Sequence, residues 1–176
     1  MKEEPFMDFL KLSQSRYSCR KMSDKPVEQE KIDRIIAAAI AAPTAKNNQP
    51  YKLWLFKSEE AMAKLKETTH FTFGAKIVLA VGVKKSDAFI RPFDQKNYGE
   101  IDGAIIATHI MLAIEAEGLA TTWVGYFDAP KLQELFPQMK EFEMIALFPI
   151  GYAAEDAKPS PRHTERRAVE DVLEVL

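Results

Sequence analysis

The chain has 176 residues, 47% of them hydrophobic and 28% charged, which is ordinary for one folded domain and too apolar for a disordered chain. Its 24 basic and 26 acidic residues give a net charge of −2, which argues against nucleic-acid binding, since nucleic-acid-binding proteins usually carry a basic excess. One cysteine, Cys19, excludes an internal disulfide and a multi-cysteine metal site, and three widely spaced histidines argue against a metal enzyme.

The sequence also lacks the signals of secretion and of membrane insertion. The first residues include two acids where a secretory signal has a basic region. The longest uncharged, apolar-rich run, residues 103–114, has 12 residues, whereas a membrane helix needs about 20. With the lone thiol, these features predict a cytoplasmic protein without a membrane span. We expect a single domain over residues 1–176.

Hydrophobic spacing predicts helices and strands in the first half of the chain. In chain order these are a helix at 6–15, a helix at 28–41, a strand at 51–56, a surface helix at 59–68 and a strand at 77–83. The first helix rests on Phe6, Phe9 and Leu10, which recur at helical spacing. The strand at 77–83 is a continuous apolar run, which is typical of a buried strand.

The second half is predicted to contain a long helix at 98–117, a strand at 120–126, a short helix at 129–136 and a strand at 144–152. The long helix is apolar around most of its circumference, which predicts burial on all sides. Gly118 is placed to cap its end, and Asp128 to begin the short helix. Pro149 indicates an edge or a bulge in the last strand. Because strands and helices do not alternate strictly, we expect an α+β fold with a central sheet packed by helices.

Neither of the common glycine-rich nucleotide motifs occurs, so the sequence contains no Rossmann dinucleotide site and no P-loop. A different kind of anion site is possible after the first helix, where Arg16, Ser18 and Arg20 alternate. In an extended stretch their side chains share one face, and guanidinium groups suit phosphate. The same spacing also fits a solvated basic turn.

The segment at 42–51 is dense in uncharged hydrogen-bonding groups, among them Thr44, Asn47, Asn48 and Gln49. Such groups can recognise the edge of a polar ring system without adding charge. The segment also fits an ordinary loop between a helix and a strand.

Two further segments have a functional and a structural interpretation. Gly125 lies in a predicted strand, where glycine marks either close backbone approach to a ligand or a bulge. Near the end of the chain, Arg162, Arg166 and Arg167 could bind a phosphate or form a solvated charge run with neighbouring acids.

The other reactive side chains fit structural roles better. Cys19 has cationic neighbours, which would suit a nucleophile, but no nearby histidine or acid completes a nucleophilic dyad. His109 and Asp102 lie on the long helix, where we expect a hydrogen-bonded core residue and a carboxylate bonded to a neighbouring backbone group. His163 falls in a polar loop.

Taken in order, these segments resemble the nitroreductase family of flavin enzymes over nearly the whole chain. The family's R-[RH]-S-x-[RK] motif corresponds to residues 16–20, with Tyr17 in place of the commoner Arg or His, and A-P-[ST]-x-x-N-x-Q-P-[WY] is matched at 42–51. Further matches are the long helix ending in Gly-Leu at 102–119, Trp-x-Gly at 123–125, P-I-G-Y at 149–152 and a terminal arginine motif at 166–172.

The resemblance implies the fold and the reaction of that family. It implies a mostly antiparallel sheet packed by helices, with a long buried helix and a C-terminal arm that embraces a partner subunit. It implies a homodimer with one FMN per subunit at the interface. NADH or NADPH would supply electrons for two-electron reduction of nitroaromatics, quinones or related acceptors.

Cofactor-binding residues follow from the same resemblance. Arg16, Ser18 and Arg166 would hold the FMN phosphate, with Tyr17 beside them, and Arg20 would reach the pyrimidine edge of the flavin. The partner subunit would contribute a loop containing Pro43, Thr44, Ala45, Asn47 and Gln49.

Val124 and Gly125 would lie against the flavin ring and offer a backbone donor near its reactive N5. No catalytic side chain is expected, because the cofactor carries the chemistry. The family's second flavin-contacting Asn and Lys have no clear counterpart, and Lys76 is the only candidate within residues 68–76. The chain is a short member of the family, so we expect an open acceptor pocket.

Three functions remain open on the sequence. The first is an FMN-dependent NAD(P)H oxidoreductase. The second is another flavin chemistry on the same scaffold, such as dehalogenation or flavin breakdown. The third is a flavin-binding or interaction protein without turnover. The acceptor and the choice between NADH and NADPH are not specified.

Overall fold

The computed structural model describes residues 8–176. Within that range the α-helices are α1 (Phe9–Ser15), α2 (Gln29–Ile40), α3 (Glu59–Lys66), α4 (Gly99–Ala116) and α5 (Ala129–Leu135). The strands are β1 (Tyr51–Phe56), β2 (Ile77–Val83) and β3 (Glu143–Ile150).

Most predicted elements are confirmed, some of them to the residue. Strands β1 and β2 have the predicted bounds, and α4 is one residue shorter at each end. Asp8 caps α1 by accepting hydrogen bonds from the N–H groups of Leu10 and Lys11. Phe6, on which the first predicted helix partly rested, lies outside the described residues. Asp128 caps α5 as expected, by accepting from the N–H of Lys131.

The sheet has the order β1-β2-β3 with antiparallel neighbours. Every residue of β2 is buried, because helices cover both faces of the sheet. On one face Leu79 and Val81 pack in a cluster with residues of α2 and α4. On the other face Val78 and Ala80 pack with residues of α3 and α5. The predicted α+β fold, a central antiparallel sheet packed by helices, is confirmed.

The predicted strand at 120–126 is wrong. Within the described chain this segment makes two isolated bridges, from Ala120 to Gly151 and from Val124 to Leu147. Thr122 lies midway between them and faces Pro149, which has no N–H to donate, so the ladder is interrupted there. The segment therefore runs along the edge of β3 without becoming a fourth strand.

The predicted burial of α4 on all sides is also wrong for the single chain. One face, which includes Ile106 and Ile110, packs on the sheet and is fully buried. The opposite face borders a largely apolar groove of about 480 Å³, lined by Phe9, Leu12, Arg34, Ala38, Thr108, His109, Leu112, Ala113, Ala116 and Glu117. His109 thus lines this groove and does not lie in the core. Among residues 8–176, no helix combines the length and apolar character needed to cross a bilayer.

Candidate functional site

Two segments distant in sequence meet at a basic cavity of about 400 Å³. One follows α1, and the other surrounds a short 3-10 helix at Pro161–Thr164. The lining residues are Arg16, Tyr17, Ser18, Arg20, Ser160, Arg162, His163 and Arg166. None of them is acidic, and guanidinium groups bind phosphate through paired donors, so the cavity is suited to a phosphate group.

The terminal arginines differ in where they point. Arg166 and Arg162 line the cavity. Arg166 is held in place because its Nη1 donates to the carbonyl oxygens of His163, at 2.6 Å, and Glu165, at 2.7 Å. Arg167 does not line the cavity, and its Nη2 donates to the carbonyl oxygen of Asp171 at 2.6 Å.

Backbone pairing holds the first arginine segment in place. The N–H of Cys19 donates to the carbonyl oxygen of Thr121 at 2.9 Å. The Cys19 side chain is fully buried, and its Sγ donates to the carbonyl oxygen of Lys21 at 3.3 Å. This burial supports the expectation that Cys19 is not a nucleophile. Arg16 and Ser18, which precede Cys19, line the cavity.

Tyr17 and His163 pack together in the cavity wall, with ring centroids 6.2 Å apart and an edge-to-face arrangement. Burial raises the pKa of the Tyr17 hydroxyl, and the neighbouring Cys19 thiol raises it further. Sequence reasoning placed His163 in a polar loop and missed this contact. The available signal was its position directly after Arg162.

A second cavity, of about 150 Å³, adjoins the first. Its lining residues are Arg20, Phe71, Phe73, Thr122, Trp123, Val124, Gly125 and Tyr126. Arg20 lines both cavities, so the basic cavity and this largely aromatic one form a continuous surface. Phe71 and Phe73 were not predicted. Lys76, the tentative sequence candidate from this region, instead pairs with Asp24 at 3.1 Å and lines neither cavity.

Val124 and Gly125 form one wall of the second cavity. Val124 is buried, and its N–H and carbonyl oxygen pair with those of Leu147, both at 3.0 Å. At Gly125 a Cβ atom would meet open space, so a flat ring can approach the backbone there. The N–H of Gly125 donates to no group among residues 8–176 and is free to bind a ligand.

The loop between α2 and β1 carries the remaining predicted residues, from Pro43 to Gln49. Lys46, Asn47 and Gln49 have positive φ angles of 55°, 54° and 49°. The N–H of Ala45 donates to Asp102 Oδ1 at 2.9 Å, which confirms the expectation that Asp102 binds a neighbouring backbone group.

This loop and the basic cavity lie at opposite ends of α4. Asp102, which holds the loop, is in the first half of the helix, whereas Glu115, which interacts electrostatically with Arg16, is in its last turn. Glu115 follows Asp102 by thirteen positions, so the helix rise places them about 20 Å apart. Within one chain, the contact that holds the loop and the interaction with Arg16 are therefore well separated along α4.

Glu115, in the last turn of α4, interacts electrostatically with Arg16, which lines the arginine cavity. Burial raises the pKa of Glu115, and the charge of Arg16 opposes that rise. A carboxyl group with a raised pKa in the folded state favours folding while it is protonated. That contribution is lost as the pH rises through the folded-state pKa, because the buried group then ionises.

The substitution Glu115→Gln should therefore raise the free energy of unfolding relative to wild type above the folded-state pKa, and this gain should disappear at acid pH. Urea unfolding of variant and wild type measures the difference in their free energies of unfolding. Measurements at about pH 8 and about pH 4 lie on either side of a raised carboxyl pKa. Glu155→Gln, which removes an exposed carboxylate, is the control and should show little difference between the two pH values. If Glu115→Gln raises the free energy of unfolding equally at both pH values, the assignment of a raised pKa to Glu115 is wrong.

The family model described as "Nitroreductase family" matches residues 14–73 and 67–152. A crystal structure of a nitroreductase family protein from Clostridium difficile 630 is 32% identical, covers 96% of this chain and 98% of that chain, and superposes with a TM-score of 0.88. The chain belongs to the nitroreductase family, as the motifs indicated. It is an oxidoreductase of that family.

Two other similar proteins have more informative names. A protein of Methanothermobacter thermautotrophicus, provisionally named an NADH dehydrogenase/NAD(P)H nitroreductase, is 25% identical over 85% of this chain and 80% of its own length. A structure from Exiguobacterium sibiricum, provisionally named a nitroreductase, was solved in complex with FMN. It is 20% identical, covers 98% of this chain and 99% of that chain, and has a TM-score of 0.81.

Proposed function

We propose that this protein is an FMN-dependent oxidoreductase, acting as a single domain in the cytoplasm. It takes a hydride from NADH or NADPH and passes two electrons to nitroaromatic, quinone or similar acceptors. The observation that carries the proposal is the continuous surface from the arginine cavity, through Arg20, to the wall at Gly125. The FMN complex of the Exiguobacterium protein and the name of the Methanothermobacter protein support it.

The residues present fit FMN better than FAD. The basic cavity suits a single phosphate, and the sequence has no glycine-rich turn for a dinucleotide. At the other end, Gly125 has no side chain to obstruct a flat ring, and its N–H is free to donate. When bound, FMN would supply hydride chemistry, and the chain would supply binding, orientation and electrostatics.

Each group on this surface then has a physical role. Arg16, Ser18 and Arg166 hold the phosphate through charge-assisted hydrogen bonds, with Arg162 beside them. Arg20, which lines both cavities, places a positive charge next to the ring. Because reduction leaves negative charge on the flavin, that cation favours the reduced form.

We further propose a homodimer in which each site draws on both subunits. Along α4, the contact that holds the loop from Pro43 to Gln49 lies about 20 Å from the interaction with Arg16, which supports a site in which the loop meets the cavity of a partner. The groove beside α4 supplies an apolar surface for association. Its rim includes Phe9, which is 65% exposed in the single chain.

The central test is to identify a bound cofactor and then to measure turnover. The purified protein should be yellow, and heating should release FMN, identified by chromatography. The holoprotein should oxidise NADH or NADPH when a nitroaromatic or quinone is added. A colourless preparation that does not take up added FMN would contradict the proposal. A yellow protein that does not oxidise either nucleotide would be a flavin-binding protein without this activity.

Arg166→Ala should weaken FMN binding by roughly 10- to 100-fold, because it removes a charge-assisted contact worth about 1.5–3 kcal/mol. The dissociation constant is measured by titrating apoprotein with FMN and following flavin fluorescence. Arg167→Ala is the matched control, since Arg167 points away from the cavity. Equal losses in the two variants would show that general charge, and not contact, is responsible.

Arg20→Gln should lower the two-electron reduction potential of the bound flavin, because a cation beside the ring stabilises the reduced form. A loss of about 1–3 kcal/mol corresponds to roughly 20–65 mV for two electrons. A dye-equilibrated titration of both holoproteins measures the midpoint. An unchanged or raised midpoint would place Arg20 at the phosphate or in solvent.

Leu112→Glu should convert the dimer to monomer and weaken FMN binding together, because a charge in the apolar groove opposes association and removes the partner's loop. Leu112 lines that groove on α4. Analytical ultracentrifugation at micromolar concentration, with and without FMN, measures both effects. Ala63→Glu, at an exposed position of α3, is the control for the added charge. A monomer that binds FMN as tightly as wild type would contradict the shared site.

A further inference from the structure

Asp102 is a buried acidic side chain with few polar contacts among the described residues. It is 1% exposed and lies in the first half of α4, the helix that packs on the sheet. Its Oδ1 accepts one hydrogen bond, from the N–H of Ala45, and its Oδ2 is buried without a partner among residues 8–176. Burying a carboxylate is unfavourable, and one hydrogen bond offsets that only in part. A group retained under these conditions requires an explanation beyond packing.

The loop that Asp102 contacts is conformationally strained. Lys46, Asn47 and Gln49 all have left-handed backbone conformations, although none is glycine. Such a loop keeps its shape only when the surrounding structure holds it. Thr44 Oγ1 accepts from the N–H of Gln49 at 3.0 Å, inside the loop itself.

Contacts from outside the loop fix its position on the protein. Asn48 Nδ2 donates to the carbonyl oxygen of Asp87 at 3.2 Å, in an exposed setting. The bond from Ala45 to Asp102 is shorter, joins the loop to α4 and has a carboxylate acceptor, which makes a stronger bond than a neutral one. Asp102 therefore anchors the start of the strained turn.

We propose that Asp102 is a positioning residue for the flavin site. Its buried carboxylate holds the loop from Pro43 to Gln49 in the shape in which the loop meets the cofactor of the partner subunit. This inference rests on the proposed function. Without the carboxylate, the N–H of Ala45 loses its acceptor and the left-handed residues relax, so that Thr44 and Asn47 leave their binding positions.

The test measures FMN affinity of the full-length protein by fluorescence titration. Asp102→Ala should weaken FMN binding about 10-fold or more, because it removes the charged acceptor. Asp102→Asn retains a carbonyl oxygen for Ala45 and should stay within about 3-fold of wild type. Asp33→Ala removes an exposed carboxylate from α2 and should have no effect.

A second variant breaks the same hydrogen bond from the other side. Ala45→Pro removes the N–H donor, and proline suits this position because Ala45 begins a 3-10 turn and Thr44 before it is already extended. Asp102→Ala and Ala45→Pro should each lower FMN affinity. Because both break the same hydrogen bond, the affinity of the double variant should be no lower than that of the more affected single variant. That result separates a role through this bond from a general effect on the fold.

Several outcomes would overturn the inference. The inference is wrong if Asp102→Ala binds FMN as tightly as wild type. It is also wrong if the losses of binding free energy in the two single variants add in the double variant. If Asp102→Ala does not fold, Ala45→Pro decides, and unchanged affinity in that variant overturns the inference. If the wild-type protein itself does not bind FMN, the proposed function fails. If the wild-type protein binds FMN and the variants bind it equally well, only the role of Asp102 is overturned.

Discussion

The length of α4 is the constraint on which the arrangement of this site depends. The helix packs on the sheet and carries the loop contact of Asp102 in its first half and Glu115, beside the arginine cavity, in its last turn. The helix rise sets the roughly 20 Å between these positions. Two groups of residues with complementary chemistry are thereby separated along α4 within one chain, and the proposed dimer would bring them together.

The register of the segment at 120–126 determines which of its backbone groups remain available. The backbone groups of Ala120 and Val124 pair with β3 and the residue directly after it, so those of Thr121 and Gly125, at alternate positions, point away from the sheet. On that side the carbonyl oxygen of Thr121 accepts from the N–H of Cys19, and the N–H of Gly125 has no partner among the described residues. The same register therefore anchors the arginine segment and leaves a donor at the wall proposed to contact the flavin.

Local patterns in the sequence predicted the elements whose cause is local. Strands β1 and β2 were predicted to the residue, because Pro50 bounds the first and the pair of lysines at 84–85 ends the second. The strand at 120–126 was predicted wrongly, because the residue that interrupts it, Pro149, is distant in sequence. The exposed face of α4 was missed for a related reason, since composition shows that a face is apolar but not which surface covers it.

The candidate site was predictable to a different extent. Motif spacing identified Arg16, Ser18 and Arg166, which the fold brings to one cavity. His163 and Phe71 reach the two cavities through tertiary contacts that no local pattern contains. The positive φ angles of Lys46 and Asn47 were also unpredictable, because neither residue is glycine and the strain is held by the contact with Asp102.

The charge of the arginine cavity explains why a bound anion and the fold should stabilise each other. Four arginines line a space of about 400 Å³ in a chain whose net charge is −2, so the positive charge there is a local concentration. Glu165 pairs with one of these arginines, Arg162, whereas burial disfavours ionisation of Glu115, so the positive charge is offset only in part. A bound phosphate would supply further negative charge and would relieve the repulsion among the remaining arginines. A ligand that binds the folded state and not the unfolded state raises the free energy of unfolding. By linkage, this stabilisation increases with ligand concentration.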